Sequence, residues 1–299
     1  MAAELKRRKA PTKEARRILL RQIDKALSVL ETPRASDSKI HDARRQIKRA
    51  RATLRLLRNL VPAAQYQAEN ACLRDAARPL SKVRDASVLV DTFKHLVART
   101  DGRPPLSGAI SFGRELVKER ARIRVAADGR SGVPQARSLL HSARSRASHW
   151  QLAGKGWSVV GAGVEKVYSQ GRDALADVRK RPRDASFHEL RKQTKYLRHQ
   201  LQLLQPAWPR AIDPLVKELH RLSDQLGDDH DLAVLGQKLD DDEEAFVDEN
   251  SRQVLRATIN GRRSSLQRQA LRLGARIYEE KPKHFTSRLH GYWRDWRDE

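Results

Sequence analysis

One helix-forming segment occurs twice in this chain, and that duplication restricts the fold more than any other feature. Residues 40–57, IHDARRQIKRARATLRLL, align without gaps on residues 187–204, FHELRKQTKYLRHQLQLL, at an offset of 147. His41 falls on His188, Arg44 on Arg191, Arg45 on Lys192, Lys48 on Lys195 and Arg51 on Arg198; Leu54, Leu56 and Leu57 fall on Leu201, Leu203 and Leu204. A weaker match follows at an offset of 146, where LSKVRDASVL (Leu80 to Leu89) lies on LGDDHDLAVL (Leu226 to Leu235), with Arg84 on His230 and Asp85 on Asp231. Two matches in the same order at nearly one offset predict a duplicated unit, each copy the size of an antiparallel helical bundle. The expected division is a first repeat over residues 1–150 and a second over 151–299.

The repeated segment is amphipathic. Ile40, Ala43, Ile47, Ala50, Leu54 and Leu57 are spaced 3-4-3-4-3, an apolar seam for bundle packing. One residue further on, His41, Arg44, Lys48, Arg51, Arg55 and Arg58 keep the same spacing, so a basic row roughly 26 Å long flanks the buried seam. Like charges three and four apart repel, and unless nearby carboxylates neutralise the row, an extended polyanion is its natural complement. The second copy has Gln202 and Gln205 in place of Arg55 and Arg58.

Elsewhere apolar positions also recur at three and four, with no run of alternating β-branched residues, which predicts about ten helices and no sheet. Loop signals fall at Thr32–Ser38, Asp101–Pro105, Asp128–Pro134, Gly154–Gly156 and Arg181–Asp184. Ser186 and Glu189 have the spacing of a capping box, and the acidic run Asp240–Glu244 suits a helix start. VVGAGVEK (Val159 to Lys166) lacks the third glycine and the preceding strand of a dinucleotide turn, so Gly161 and Gly163 are read as close helix-packing positions. Trp293 and Trp296 are read as anchors of the last helix.

The charge balance sharpens the functional reading. The chain carries 61 Lys+Arg against 37 Asp+Glu, a formal +24, in 299 residues. The excess lies mostly in the first repeat, with 34 basic and 14 acidic side chains against 27 and 23 in the second. Such a surplus predicts a polyanionic partner, and 43 Arg against 18 Lys favours bidentate contact with phosphate or carboxylate. The single cysteine, Cys72, makes no internal disulfide or multi-Cys zinc site. No apolar run approaches the roughly 18 residues of a membrane span, and the basic N-terminus lacks a secretory h-region. We expect a soluble cytoplasmic protein.

The pattern His-x-x-Arg-x-x-x-Lys-x-x-Arg opening a Leu-rich helix, present twice and followed each time by RDASVL or HDLAVL, resembles the CHAD domain, a helical family named for its histidines. The segments EARRILLRQIDKALSVL and KPKHFTSRLHGYWRDW are similar to the family's two ends. The resemblance implies an all-α fold of two four-helix bundles with pseudo-twofold symmetry. It also implies binding of inorganic polyphosphate, with an association with polyphosphate granules. Carried over by position, the binding residues are His41, Arg44, Arg45, Lys48 and Arg51, with His188, Arg191, Lys192, Lys195 and Arg198. Arg55 extends the row in the first copy, and Arg84 and His230, both able to be cationic, join the set. Ser81 stands where the second copy has Gly227, which leaves the turn geometry there open.

Asp85 and Asp231 are candidates for orienting guanidinium groups. DDHDL (Asp228 to Leu232) suggests a metal site, but no Glu-x-x-His occurs in the chain; a helix cap at Asp228 or Asp229 and an Arg partner for Asp231 fit better, so no metal or cofactor is expected. His41 or His188 as a phosphate acceptor is a lesser alternative. Nucleic acid is a possible partner, because the electrostatic attraction is the same for any polyanion, but the basic rows carry almost no aromatics beyond Tyr196 to stack on bases. A phosphotransfer or polyphosphate-processing enzyme would want a phosphate-cradling Gly-rich loop and a carboxylate set for magnesium, so the expectation is a non-enzymatic binder without catalytic residues. Reversing Arg44, Lys48 and Arg51 together should then abolish binding and leave the bundle folded. Oligomeric state is left open.

Overall fold

The computed structural model describes residues 4–32, 36–98, 107–127, 132–241 and 249–298. These form eleven α-helices, two short 3-10 turns and no strand. The helices are α1 (Pro11–Leu30), α2 (Asp37–Leu56), α3 (Ala63–Ala77), α4 (Pro79–Val97), α5 (Ser107–Ala127), α6 (Val133–Ser148), α7 (Gly161–Lys180), α8 (Asp184–Leu204), α9 (Pro209–Asp241), α10 (Glu249–Ile277) and α11 (Pro282–Asp298). The fold is all-α among the described residues. The loop expected at Asp101–Pro105 lies outside them.

Helix α2 starts where Ser36 accepts a hydrogen bond from the Lys39 N–H at 3.4 Å. Its predicted seam is real: Ile40, Ala43, Ile47, Ala50, Leu54 and Leu57 are all fully buried. Complete burial of one Leu or Ile contributes roughly 1.5–3 kcal/mol, enough to hold a helix whose outer rows repel. Helix α8 buries Phe187, Leu190, Thr194, Leu197, Leu201 and Leu204 on the corresponding face. The order of packing recurs along the chain: α1 on α2 and α7 on α8, then α4 on α5 and α9 on α10. Across the molecule α2 meets α8, α4 meets α9 and α5 meets α10.

Among the described residues, three apolar clusters form the core. One lies among α1, α2, α3 and α6, from Leu19 to Trp150. A second lies mainly among α7, α8, α9 and α11 but takes in Ile18, Ala52, Leu56 and Leu57. A third joins α4 and α5 to α9 and α10, through residues such as Phe112, Leu116, Leu235 and Ile259. Gly163 sits where a Cβ would come within 2.5 Å of the Leu56 carbonyl oxygen, so α7 crosses the end of α2 at backbone contact. Trp293 is buried and edge-on to Trp296, with ring centroids 5.4 Å apart, so the last helix is anchored as read from the sequence.

Two local readings need correction. Ser186 is not the cap of α8 but its third residue, where its hydroxyl accepts from the Arg183 N–H at 3.0 Å; Glu189 lies a turn further on and pairs with Lys192 and Gln193. Asp240 and Asp241 end α9 rather than opening a helix, with Asp240 paired to Arg256 of α10; residues 242–244 lie outside the described residues. The partner helix supplies the positive charge that a helix N-terminus was expected to supply.

Candidate anion-binding site

The two copies of the basic row meet where α2 packs on α8. Arg44 is 8 % exposed, and its Nη1 donates to the carbonyls of Leu80 (3.3 Å) and Ser81 (3.0 Å) and to Asp85 Oδ1 (3.4 Å). It therefore braces α2 against the start of α4. Arg191 takes the matching place on α8, its Nη2 4.0 Å from Asp231 Oδ1. Its Nε is buried without a hydrogen-bond partner among the described residues. Gly227 is no turn residue: it lies inside α9, and a Cβ there would come within 3.3 Å of Arg191 Nη2, so its smallness clears the path of the guanidinium.

Lys48 and Lys195 lie between these arginines. Lys48 keeps solvent contact, yet poor hydration among surrounding protein, then Arg44 and Arg191, push its ammonium down to about 8. Lys195 is pushed further, to about 6, first by desolvation and then by Arg191, Lys48 and Arg198; Asp231 opposes the shift without cancelling it. Desolvation also outweighs the attraction of Arg191, Lys195 and Arg84 at Asp231, whose carboxyl is held above its ordinary range. Four basic side chains thus converge with two carboxylates, Asp85 and Asp231, at the edges, and Lys195 is mostly the neutral amine near pH 7 in the free protein.

Histidines border this patch. His41 is exposed, and its pKa is lowered by desolvation and then by Arg84 and Arg45. The rings of His188 and His230 lie 5.0 Å apart. Desolvation and then Arg191 lower both, His230 to about 4, so the imidazoles are neutral near pH 7 in the free protein. Arg84 acts on His41, Arg44 and Asp231, which places it where the two copies adjoin.

The remaining candidates separate from this centre. Arg45 and Lys192 pair with carboxylates of their own helices, Asp42 at 2.9 Å and Glu189. Arg198 turns to His220, at 2.9 Å from its Nδ1. Arg51 and Arg55 share Asn70 Oδ1 of α3, at 3.2 and 2.8 Å, and Arg55 lies 4.1 Å from the Tyr196 ring centroid. Tyr196 is therefore a platform for an arginine. Asp229 does not cap a helix; it is buried within α9 and accepts from Arg263 Nε and Gln267 Nε2, each at 3.0 Å. No group of three or more His, Cys, Asp or Glu side chains among the described residues is placed to hold a metal ion.

Sequence reasoning missed the parts that hold the row in place: Asn70, the Leu80 and Ser81 carbonyls, and the clearance at Gly227. Only Gly227 left a trace, as the glycine opposite Ser81. A cavity of about 820 Å³ between α4, α9 and α10, lined by His95, Asp228, Asp231 and Arg262 among others, adjoins the patch through Asp231.

An all-α scaffold that packs two basic helices together, with His41, Lys48 and His188 exposed along them, is the class that the described residues define. The comparison with known families narrows it: the CHAD domain pattern matches residues 17–240, and the chain belongs to the CHAD domain family. Among solved structures it is similar to the CHAD domain from the plant Ricinus communis, at 18% identity over 91% of this chain and 95% of that one, with a TM-score of 0.58. It is also similar to PptA from Streptomyces chartreusis, at 17% identity over 88% and 96%, with a TM-score of 0.61. At such identities the likeness is one of fold. No curated protein matches the chain. Among the described residues no helix is long and apolar enough to cross a membrane.

Proposed function

We propose that this protein binds inorganic polyphosphate, without catalysing a reaction on it, at the α2–α8 crossing. The observation that carries the reading is the convergence of Arg44, Lys48, Arg191 and Lys195, with Asp85 and Asp231 set against them among the described residues. Such a cluster is costly while empty and is relieved by a multivalent anion, which also releases counterions as it binds. The lysines supply mobile point charges, and the bordering histidines become cationic when phosphate oxygens approach. Asp85 and Asp231 hold Arg44 and Arg191 in place. Membership of the CHAD family supports the choice of ligand, as does a ligand with no side groups to read meeting a site with few stacking surfaces. Cytoplasmic polyphosphate granules are the proposed place of action.

The test is a competition titration of long-chain polyphosphate against RNA of equal total charge, repeated at several salt concentrations. Polyphosphate should win by about tenfold or more, about 1.4 kcal/mol, and keep that lead at roughly 0.15–0.3 M salt. Lys48→Ala combined with Lys195→Ala should remove the preference. Equal competition, with both polyanions washing off together, would mean a general anion trap and make nucleic acid the default partner. Phosphate release from polyphosphate in the presence of magnesium, lost on mutating Asp85 or Asp231, would overturn the non-enzymatic reading.

A further inference from the structure

The basic row does not stop at the α2–α8 crossing. Beyond Lys48 it continues through Arg51 and Arg55, both tied to Asn70, to Arg58, whose guanidinium lies 5.4 Å from the ring centroid of Tyr66. Asn70 and Tyr66 are one turn apart on α3, so this helix forms a rail along which the row runs. Lys48 to Arg58 is ten residues, about 15 Å along a helix axis.

A cavity of about 780 Å³ opens at Arg58, between the end of α2, the first turns of α7 and the start of α11. Lys166 of α7 and Lys281, Lys283 and His284 at the start of α11 line it with Arg58. Among the described residues neither Arg58 nor any of the three lysines is ion-paired. The one carboxylate in the lining, Glu165, is engaged by the Thr286 hydroxyl at 3.3 Å. Helix α11, 17 residues long, points its N-terminus into the same space and adds its partial positive charge and free N–H groups. Three separate elements thus bring four basic side chains to one concave surface remote from the crossing.

We propose that this basin is a second phosphate-chain site, so that a long polyphosphate lies along the α2–α3 rail and occupies the crossing and the basin at once. The inference rests on the crossing being a polyphosphate site. Its consequence is selection by length: a short oligophosphate fills one site, while a chain long enough to span about 15 Å gains the second contact at high effective concentration.

The experiment compares tripolyphosphate and long-chain polyphosphate binding to the full chain, to a basin variant (Lys166→Ala, Lys281→Ala and Lys283→Ala) and to the crossing variant (Lys48→Ala and Lys195→Ala). The substituted lysines of the basin are all exposed, so the basin variant should keep its helical circular dichroism and Tm. Its affinity for long-chain polyphosphate should fall by about tenfold or more, with a shallower dependence on salt, while tripolyphosphate binding at the crossing is retained. Equal loss for both ligands would show the basin acting only through general charge and overturn the bridging proposal. Unchanged affinity of the basin variant for both would also overturn it, leaving the crossing intact. Unchanged affinity of the crossing variant for both would instead remove the proposed function on which it rests.

Discussion

Lys195 of α8 loses proton affinity first to burial and to Arg191 on its own helix, and then to Lys48 of α2, which acts on it across the interface between the two copies of one sequence motif. The cost is sustained by the apolar seams directly beneath, and it sets up a proton balance that a bound anion would reverse.

The first prediction concerns pH. The ordinary lysine value is 10.5, against about 6 for Lys195 in the folded protein, so over that range the unfolded chain holds more protons than the native one. Stability of the free protein should therefore rise as pH increases from about 6 towards 10. Binding works in the opposite direction, since phosphate oxygens favour the ammonium against the opposing fields of Arg191, Arg198 and Lys48. Polyphosphate should bind with net proton uptake at pH 7 and more tightly at pH 6 than at pH 8. Calorimetry in buffers of different ionisation enthalpy reads the uptake directly, and an uptake of zero would contradict the account.

Removing this amine separates stability from binding. Lys195→Met keeps the aliphatic stem and removes a group that must give up its proton on folding, so it should stabilise the free protein by on the order of 1 kcal/mol at neutral pH. The same change should weaken polyphosphate binding. Chemical denaturation and a binding isotherm on one preparation check both halves.

Arg44 should behave in the contrary way. Its guanidinium is buried against two carbonyls and Asp85, so Arg44→Ala should destabilise the fold by about 2–4 kcal/mol. Lys48→Ala should cost no more than about 0.5 kcal/mol while reducing affinity. Reversal of Arg44, Lys48 and Arg51 together, the obvious experiment from the sequence, should therefore unfold or loosen the protein rather than report on binding alone. Urea midpoints of Arg44→Ala and Lys48→Ala would settle the ranking.

Gly163→Ala tests the backbone crossing of α7 on α2. A helical Gly→Ala change ordinarily stabilises by up to about 1 kcal/mol, but here the new methyl meets the Leu56 Cα at 2.7 Å and carbonyl oxygen at 2.5 Å, atoms that cannot rotate away. We expect a net loss of about 1–2 kcal/mol, seen as a lower Tm.

The helices were legible in the sequence because an apolar period of three and four is a local property, and the buried seam of α2 follows it residue for residue. Helix ends were less so. Ser186 and Glu189 had the right spacing for a cap, yet α8 begins earlier, at Asp184. Asp240 looked like the start of a helix and is instead the partner of Arg256, a residue sixteen positions away on another helix. Among the candidate site residues, position on the row did not distinguish Arg44, which braces α4, from Lys48, which meets solvent. It also could not separate Arg191 from Lys192, adjacent in sequence, one facing Asp231 and the other bound to Glu189.

Composition, periodicity and the repeated motif by themselves determined that the chain is helical, which face of the repeated helix is buried, and that it carries a large excess of positive charge. These depend on charge counts and on neighbours three or four residues apart, which no packing arrangement alters. Only the tertiary structure decided that the two basic rows meet, that Lys48 and Lys195 share one field, and that Asn70 and Gly227 hold and clear the arginines around them. Electrostatic cost depends on distance and on exclusion of water, and both arise only when helices far apart in the chain come into contact.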